Sequence, residues 1–116
     1  MRLGPEDTEM ALLFDWIRLK PDILPYAWHT GNERKCSIQQ GVKLKRLGVK
    51  AGVADVTIAI PRGQKHGLFI EMKSGKGRLT PRQQEFLDNM NAQGYLAVCC
   101  HGFDAAKSVI ETYLKS

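Results

Sequence analysis

Apolar residues recur early in the chain at Met10, Leu13, Phe14 and Ile17, the i, i+3, i+4, i+7 spacing of one helix face. Pro5 suits a first turn and Pro21 lies just beyond a last one, so a helix is expected from about Glu6 to Leu19. Tyr26-Ala27-Trp28-His29, short and aromatic after Pro25, reads as a strand. The chain turns polar from Thr30 to Lys35, where a loop is expected. A weaker helical pattern follows from Ile38 to Leu47, with Ile38, Val42 and Leu47 apolar and Gly48 placed to end it; Gly41 weakens it.

The centre of the chain is more decisive. Asp55 to Ile60 and Leu68 to Met72 are rich in β-formers and are separated by Pro61, Gly63 and Gly67, which predicts an antiparallel hairpin with a loop of about seven residues. Thr80-Pro81-Arg82-Gln83 offers a hydroxyl N-cap, a proline at the first helical position and a glutamine at the third. That capping box opens a helix to about Ala92, and Gly94 stops it. Tyr95 to Cys99 is another apolar strand. Asp104 then caps a last helix whose Ala106, Val109, Ile110 and Tyr113 face the core. The order is αβαββαβα: an α/β domain on a small mixed sheet flanked by helices on both faces. Its last strand follows a helical crossover and so runs parallel to its neighbour.

Composition narrows the class. A chain of 116 residues with 43% hydrophobic content can build one core, so residues 1–116 are expected to form a single domain. The apolar runs, Ala11 to Phe14 among them, are far too short to span a membrane. Acids at Glu6 and Asp7 stand where a secretory signal would place apolar residues, so an intracellular protein is expected. Cys36, Cys99 and Cys100 are odd in number and lack zinc or disulfide spacing, which suits reduced thiols. Seventeen Lys and Arg against twelve Asp and Glu give +5, compatible with a nucleic-acid partner.

Alternation along a strand puts Glu71 and Lys73 on one face, and an antiparallel partner ending near Lys73 begins near Asp55. Two carboxylates and a lysine should therefore meet at one end of the sheet. Hard oxygen ligands suit Mg²⁺ or Mn²⁺, which can acidify a water and neutralise charge building on a phosphodiester. Lys73 could orient that water or stabilise the phosphoryl oxygens. This is the chemistry of a phosphodiesterase.

An Asp, a spacer and Glu-x-Lys resemble the core of the PD-(D/E)XK nuclease superfamily. Gly48 to Asp55, then His66 to Lys73, then Gly77-Arg78-Leu79-Thr80-Pro81-Arg82-Gln83 resemble its VRR-NUC family, the virus-type replication and repair nuclease module. His29-Thr30-Gly31-Asn32 is similar to that family's His-x-Pro-Asn segment, and Glu6 to Trp16 to its first helix. The resemblance implies Asp55 and Glu71 as metal ligands with the Met72 backbone carbonyl, Lys73 as the catalytic lysine, and an acid from the first helix. Glu6 fits the family's Glu-x-x-x-Gln register, although Met10 replaces the glutamine, and Glu9 is the second candidate for that acid. Ala54 and Gly31 stand where the family carries proline. Gln83 is a further catalytic candidate, although its place in the capping box accounts for it as well.

His29 could act as a base, contact a phosphate or serve the fold; His66 and His101, each beside a glycine, read as exposed turn residues. Arg34, Lys35, Lys43, Lys45, Arg46 and Lys50 precede Asp55, while Lys76, Arg78 and Arg82 follow Lys73. With His29 and Asn32 they form the expected DNA-binding set, holding backbone phosphates without reading sequence. Family members consisting of this module alone resemble phage enzymes that dimerise and cut four-way junctions. Larger relatives in Fanconi-associated repair act on flaps with added DNA-binding domains. The expected activity is therefore a metal-dependent endodeoxyribonuclease acting as a homodimer on branched DNA, in the cytoplasm of a bacterial host if the chain is phage- or prophage-encoded. A non-catalytic DNA-binding module and a flap- or RNA-directed nuclease are the alternatives.

Overall fold

The computed structural model describes residues 2–31 and 37–116. Helix α1 (Pro5–Ile17) leads into strand β1 (Ala27–His29), helix α2 (Ile38–Arg46), strands β2 (Val56–Ile58) and β3 (Leu68–Lys73), helix α3 (Pro81–Ala92), strand β4 (Leu96–His101) and helix α4 (Phe103–Leu114). The order αβαββαβα is the expected one. One sheet runs β1-β2-β3-β4; the first two pairings are antiparallel and β3 pairs with β4 in parallel, across the α3 crossover.

The pleat sorts the core into two layers. Val56, Ile58, Leu68, Ile70 and Met72 pack on one face against Met10, Leu13 and Ile17 of α1 and Ala106, Ile110 and Tyr113 of α4. On the other face Phe69 and Ala97 meet Phe86, Leu87 and Met90 of α3. β3 is apolar on both sides through Ile70, and polar side chains appear on the α3 side only from Glu71 onward. The site therefore begins where the second core layer stops.

Several boundaries moved for identifiable reasons. α1 ends at Ile17 because Leu19 and Lys20 donate to Trp16 and Ile17, tightening the chain into i→i+3 bonds. Tyr26 closes a short 3-10 turn at Leu24–Tyr26, seeded by Pro25, instead of opening β1. β2 stops at Ile58, and the connection to β3 holds its own tight turn, in which Arg62 and Lys65 exchange backbone bonds of 3.1 and 2.7 Å around residues 63–64. β4 runs on to His101, so His101 is a strand-end residue and not a turn residue; His66 does lie in an exposed bend.

Asp104 does not cap α4. Gly102 holds the N-cap position at φ 93, and Glu9 of α1 accepts the Phe103 N–H at 3.1 Å. A side chain on Gly102 would be strained at this positive φ, and its Cβ, 2.8 Å from the Glu9 carboxylate, would displace that cap. α2 begins with an unanticipated capping box between Ser37 and Gln40, visible as Ser-x-x-Gln in the sequence. The predicted box of Thr80 and Gln83 is present, and Thr80→Ala should cost about 1 kcal/mol in urea unfolding.

Candidate metal centre

Asp55 lies immediately before β2, and its Oδ2 accepts the Met72 N–H at 2.9 Å, which ties the β2 entry to the end of β3. The loop before it is seated by Gly52 (φ 84), where a Cβ would meet the Arg82 carbonyl of α3 at 2.7 Å. Glu71 is fully buried, Asp55 and Lys73 nearly so. Lys73 Nζ stands 3.7 Å from Glu71 Oε2, as expected for i, i+2 residues on one strand face.

Glu6, half-buried in the first turn of α1, completes the acidic group. One carboxylate oxygen from each of Glu6, Asp55 and Glu71 falls within 4.8 Å of the others. Glu9 stays outside that group, its carboxylate engaged at the α4 N-terminus. Three hard oxygens from three elements, with a cation beside one of them, form a donor set that fits Mg²⁺ or Mn²⁺. Met72 sits between Glu71 and Lys73 in the ladder, opposite Cys100.

Gln83 serves two ends at once. Its Oε1 accepts the Thr80 N–H at 2.9 Å in the capping box, while its Nε2 points to Glu71 Oε2 at 3.4 Å. The amide that starts α3 is therefore also the group α3 offers to the acids. His29, at the end of β1, places Nδ1 2.9 Å from the Asp55 carbonyl, which also accepts the Thr30 N–H at 2.6 Å. Bonding to a carbonyl requires a proton on Nδ1. The His29 ring, Thr30, Gly31, Glu6 and Asp55 line a cleft of about 530 Å³ that opens onto the acids.

Two neighbours escaped the sequence reading. Cys99 lies opposite Glu71 in the parallel ladder; burial, then the Glu71 charge, raises its thiol pKa, with Lys73 opposing. Asp55 and Glu6 raise it further, so this one thiol senses all three acids. Burial pushes Cys100 up to about 11, and both cysteines are free. His101, opposite Lys73, places Nε2 2.7 Å from the Gly77 carbonyl and so anchors the 74–80 loop beside the site. No local signal marks either role, since each depends on the β3–β4 register.

The cations are at the surface. Lys43, Lys45 and Arg46 on α2, then Lys50, are exposed, as are Lys76, Arg78 and Arg82 between Lys73 and the first turn of α3. Asn32, Arg34, Lys35 and Cys36 lie outside the described residues. No described helix is long and apolar enough to cross a membrane.

The VRR-NUC domain family matches residues 12–104, which include Asp55, Glu71, Lys73 and Gln83 but not Glu6. The solved structure of a VRR_NUC domain protein superposes with a TM-score of 0.86 at 33% sequence identity, covering 99% of this chain and 92% of that one. No curated protein matches the chain. A mixed sheet with an Asp, a Glu and a Lys gathered at its end, a matching family profile and a near-complete structural superposition make one conclusion: the chain belongs to the VRR-NUC family of nuclease-type domains.

Proposed function

We propose that this chain is a Mg²⁺- or Mn²⁺-dependent endodeoxyribonuclease that cuts branched DNA, four-way junctions foremost, as an intracellular homodimer. The observation that carries the reading is the convergence of Glu6, Asp55 and Glu71 within 4.8 Å, with Lys73 beside Glu71. Glu6, Asp55 and Glu71 would hold the ion, with the Met72 carbonyl as a further oxygen donor. A bound divalent cation supplies Lewis acidity toward the scissile phosphate and an acidified water.

The residues of the chain do the rest. Lys73 places a positive charge beside Glu71, where it can orient the attacking water or stabilise charge on the phosphoryl oxygens. Gln83 fixes the Glu71 carboxylate from the α3 side. His29 and the cations Lys43, Lys45, Arg46, Lys50, Lys76, Arg78 and Arg82 hold the DNA backbone, together with Asn32, Arg34 and Lys35. Two symmetric cuts across a junction need two such sites related by a two-fold axis, hence the dimer.

Labelled four-way, flap, nicked and linear DNA, with matched RNA versions, incubated with and without Mg²⁺ or Mn²⁺, tests the assignment. Cutting should require the ion and favour the four-way junction; binding without any metal-dependent cutting would sink it. Either ion at about a hundred times its Kd should raise the unfolding midpoint by roughly 10 °C, read by calorimetry. Glu6→Gln should reduce that rise.

A further inference from the structure

α2 is the odd element of this fold. It makes no extensive contact with the other described helices or strands, yet it is fully capped at its start. Ile38 is 88% exposed and Val42 65%. They lie one turn apart, and the same face continues into Lys45 and Arg46, at i+7 and i+8 from Ile38. Gly41, between them on that face, has no side chain, so both apolar groups protrude. A single exposed apolar residue needs no explanation, but two side by side on one face of a helix with no extensive packing against the other described elements do.

Charge selects the occupant. From Ser37 to Ala54 the chain carries Lys43, Lys45, Arg46 and Lys50 and no acid. A two-fold contact between two such faces would bring like charges together without a counter-charge, which disfavours a second copy of the chain. Nucleic acid offers phosphates for the cations. In an intact duplex the base faces are stacked away, and only where strands branch or end are they open to an apolar side chain.

We infer that α2 is a branch-reading wedge: Lys43, Lys45 and Arg46 bind phosphates on either side of a strand exchange or end, and Ile38 and Val42 pack against the bases unstacked there. This deepens the proposed function and rests on DNA being its substrate. It assigns the preference for branched over linear DNA to two aliphatic side chains, not to the cations or the acidic centre.

The test is binding in EDTA, where cutting is suppressed, using junctions carrying 2-aminopurine at the branch, with linear duplex alongside. Ile38→Ala/Val42→Ala should weaken branched-DNA binding about tenfold and abolish the 2-aminopurine signal, leaving linear affinity and the salt slope unchanged. Ile38→Phe should keep the preference. Lys43→Ala/Lys45→Ala should instead weaken both substrates and flatten the salt slope by about two. Circular dichroism checks that α2 persists, which Ala favours.

Unchanged branched-DNA binding by the double Ala variant overturns the inference. So does its conversion from dimer to monomer in sedimentation, which would make the face a contact between copies. If the wild type shows the branch signal but never cuts with Mg²⁺ or Mn²⁺, the wedge stands and the nuclease assignment falls. If it cuts while the double variant binds unchanged, the reverse holds.

Discussion

Glu71→Gln should lower cleavage of branched DNA by about 10³-fold or more, roughly 4 kcal/mol of transition-state stabilisation, while branched-DNA affinity stays intact. The change is isosteric at a fully buried position, so the backbone of β3 has no reason to move. What disappears is one of three clustered negative charges. Lys73→Met tests the other half of the pair: it keeps the aliphatic stem, removes the ammonium 3.7 Å from Glu71 and should give a comparable loss. Single-turnover cleavage with excess enzyme is the measurement. Activity surviving both substitutions in clean protein would end the mechanism.

Asp55 separates fold from chemistry. Its Oδ2 holds the Met72 N–H at 2.9 Å in a buried setting. Asp55→Ala removes both an acid and that acceptor, so it should abolish cutting and destabilise the domain by about 1 to 3 kcal/mol, the cost of an unsatisfied buried donor. Asp55→Asn keeps an acceptor oxygen while losing the charge. It should unfold at nearly the parent urea midpoint and yet cut no better than the Ala variant. If Asn restores cleavage, Asp55 is structural and the acidic centre has been misassigned.

The elements with short-range signals were legible in the sequence. α3 came from four consecutive residues, Thr80 to Gln83, and its box formed as read. The hairpin and the Glu71–Lys73 face followed from period-two alternation and the register it imposes. What could not be read locally was anything set by long-range contact. Whether Glu6 or Glu9 reaches the acids depends on α4, because the Phe103 N–H engages Glu9 from a position 94 residues away in sequence. Cys99 and His101 become site neighbours only through the parallel pairing with β3, which a crossover permits without fixing its register. α2 showed an apolar pattern with no indication that it would face solvent. Amphipathic spacing encodes a face, and the partner of that face is written elsewhere.

The acidic centre draws its members from both layers of the molecule: Glu6 arrives with the helix under one face of the sheet, and Glu71 stands on the opposite face with α3. An ion gripping all three acids would act as a clasp across the sheet's end, closing a loop from residue 6 to residue 71. The weakest link in that clasp is the first turn of α1, because helix termini open at far lower free energy than core strands. Fraying there would dissolve the centre while the sheet stayed folded. Nuclease output would then report on the local order of a single helical turn, and warming should silence it below the temperature at which the domain melts.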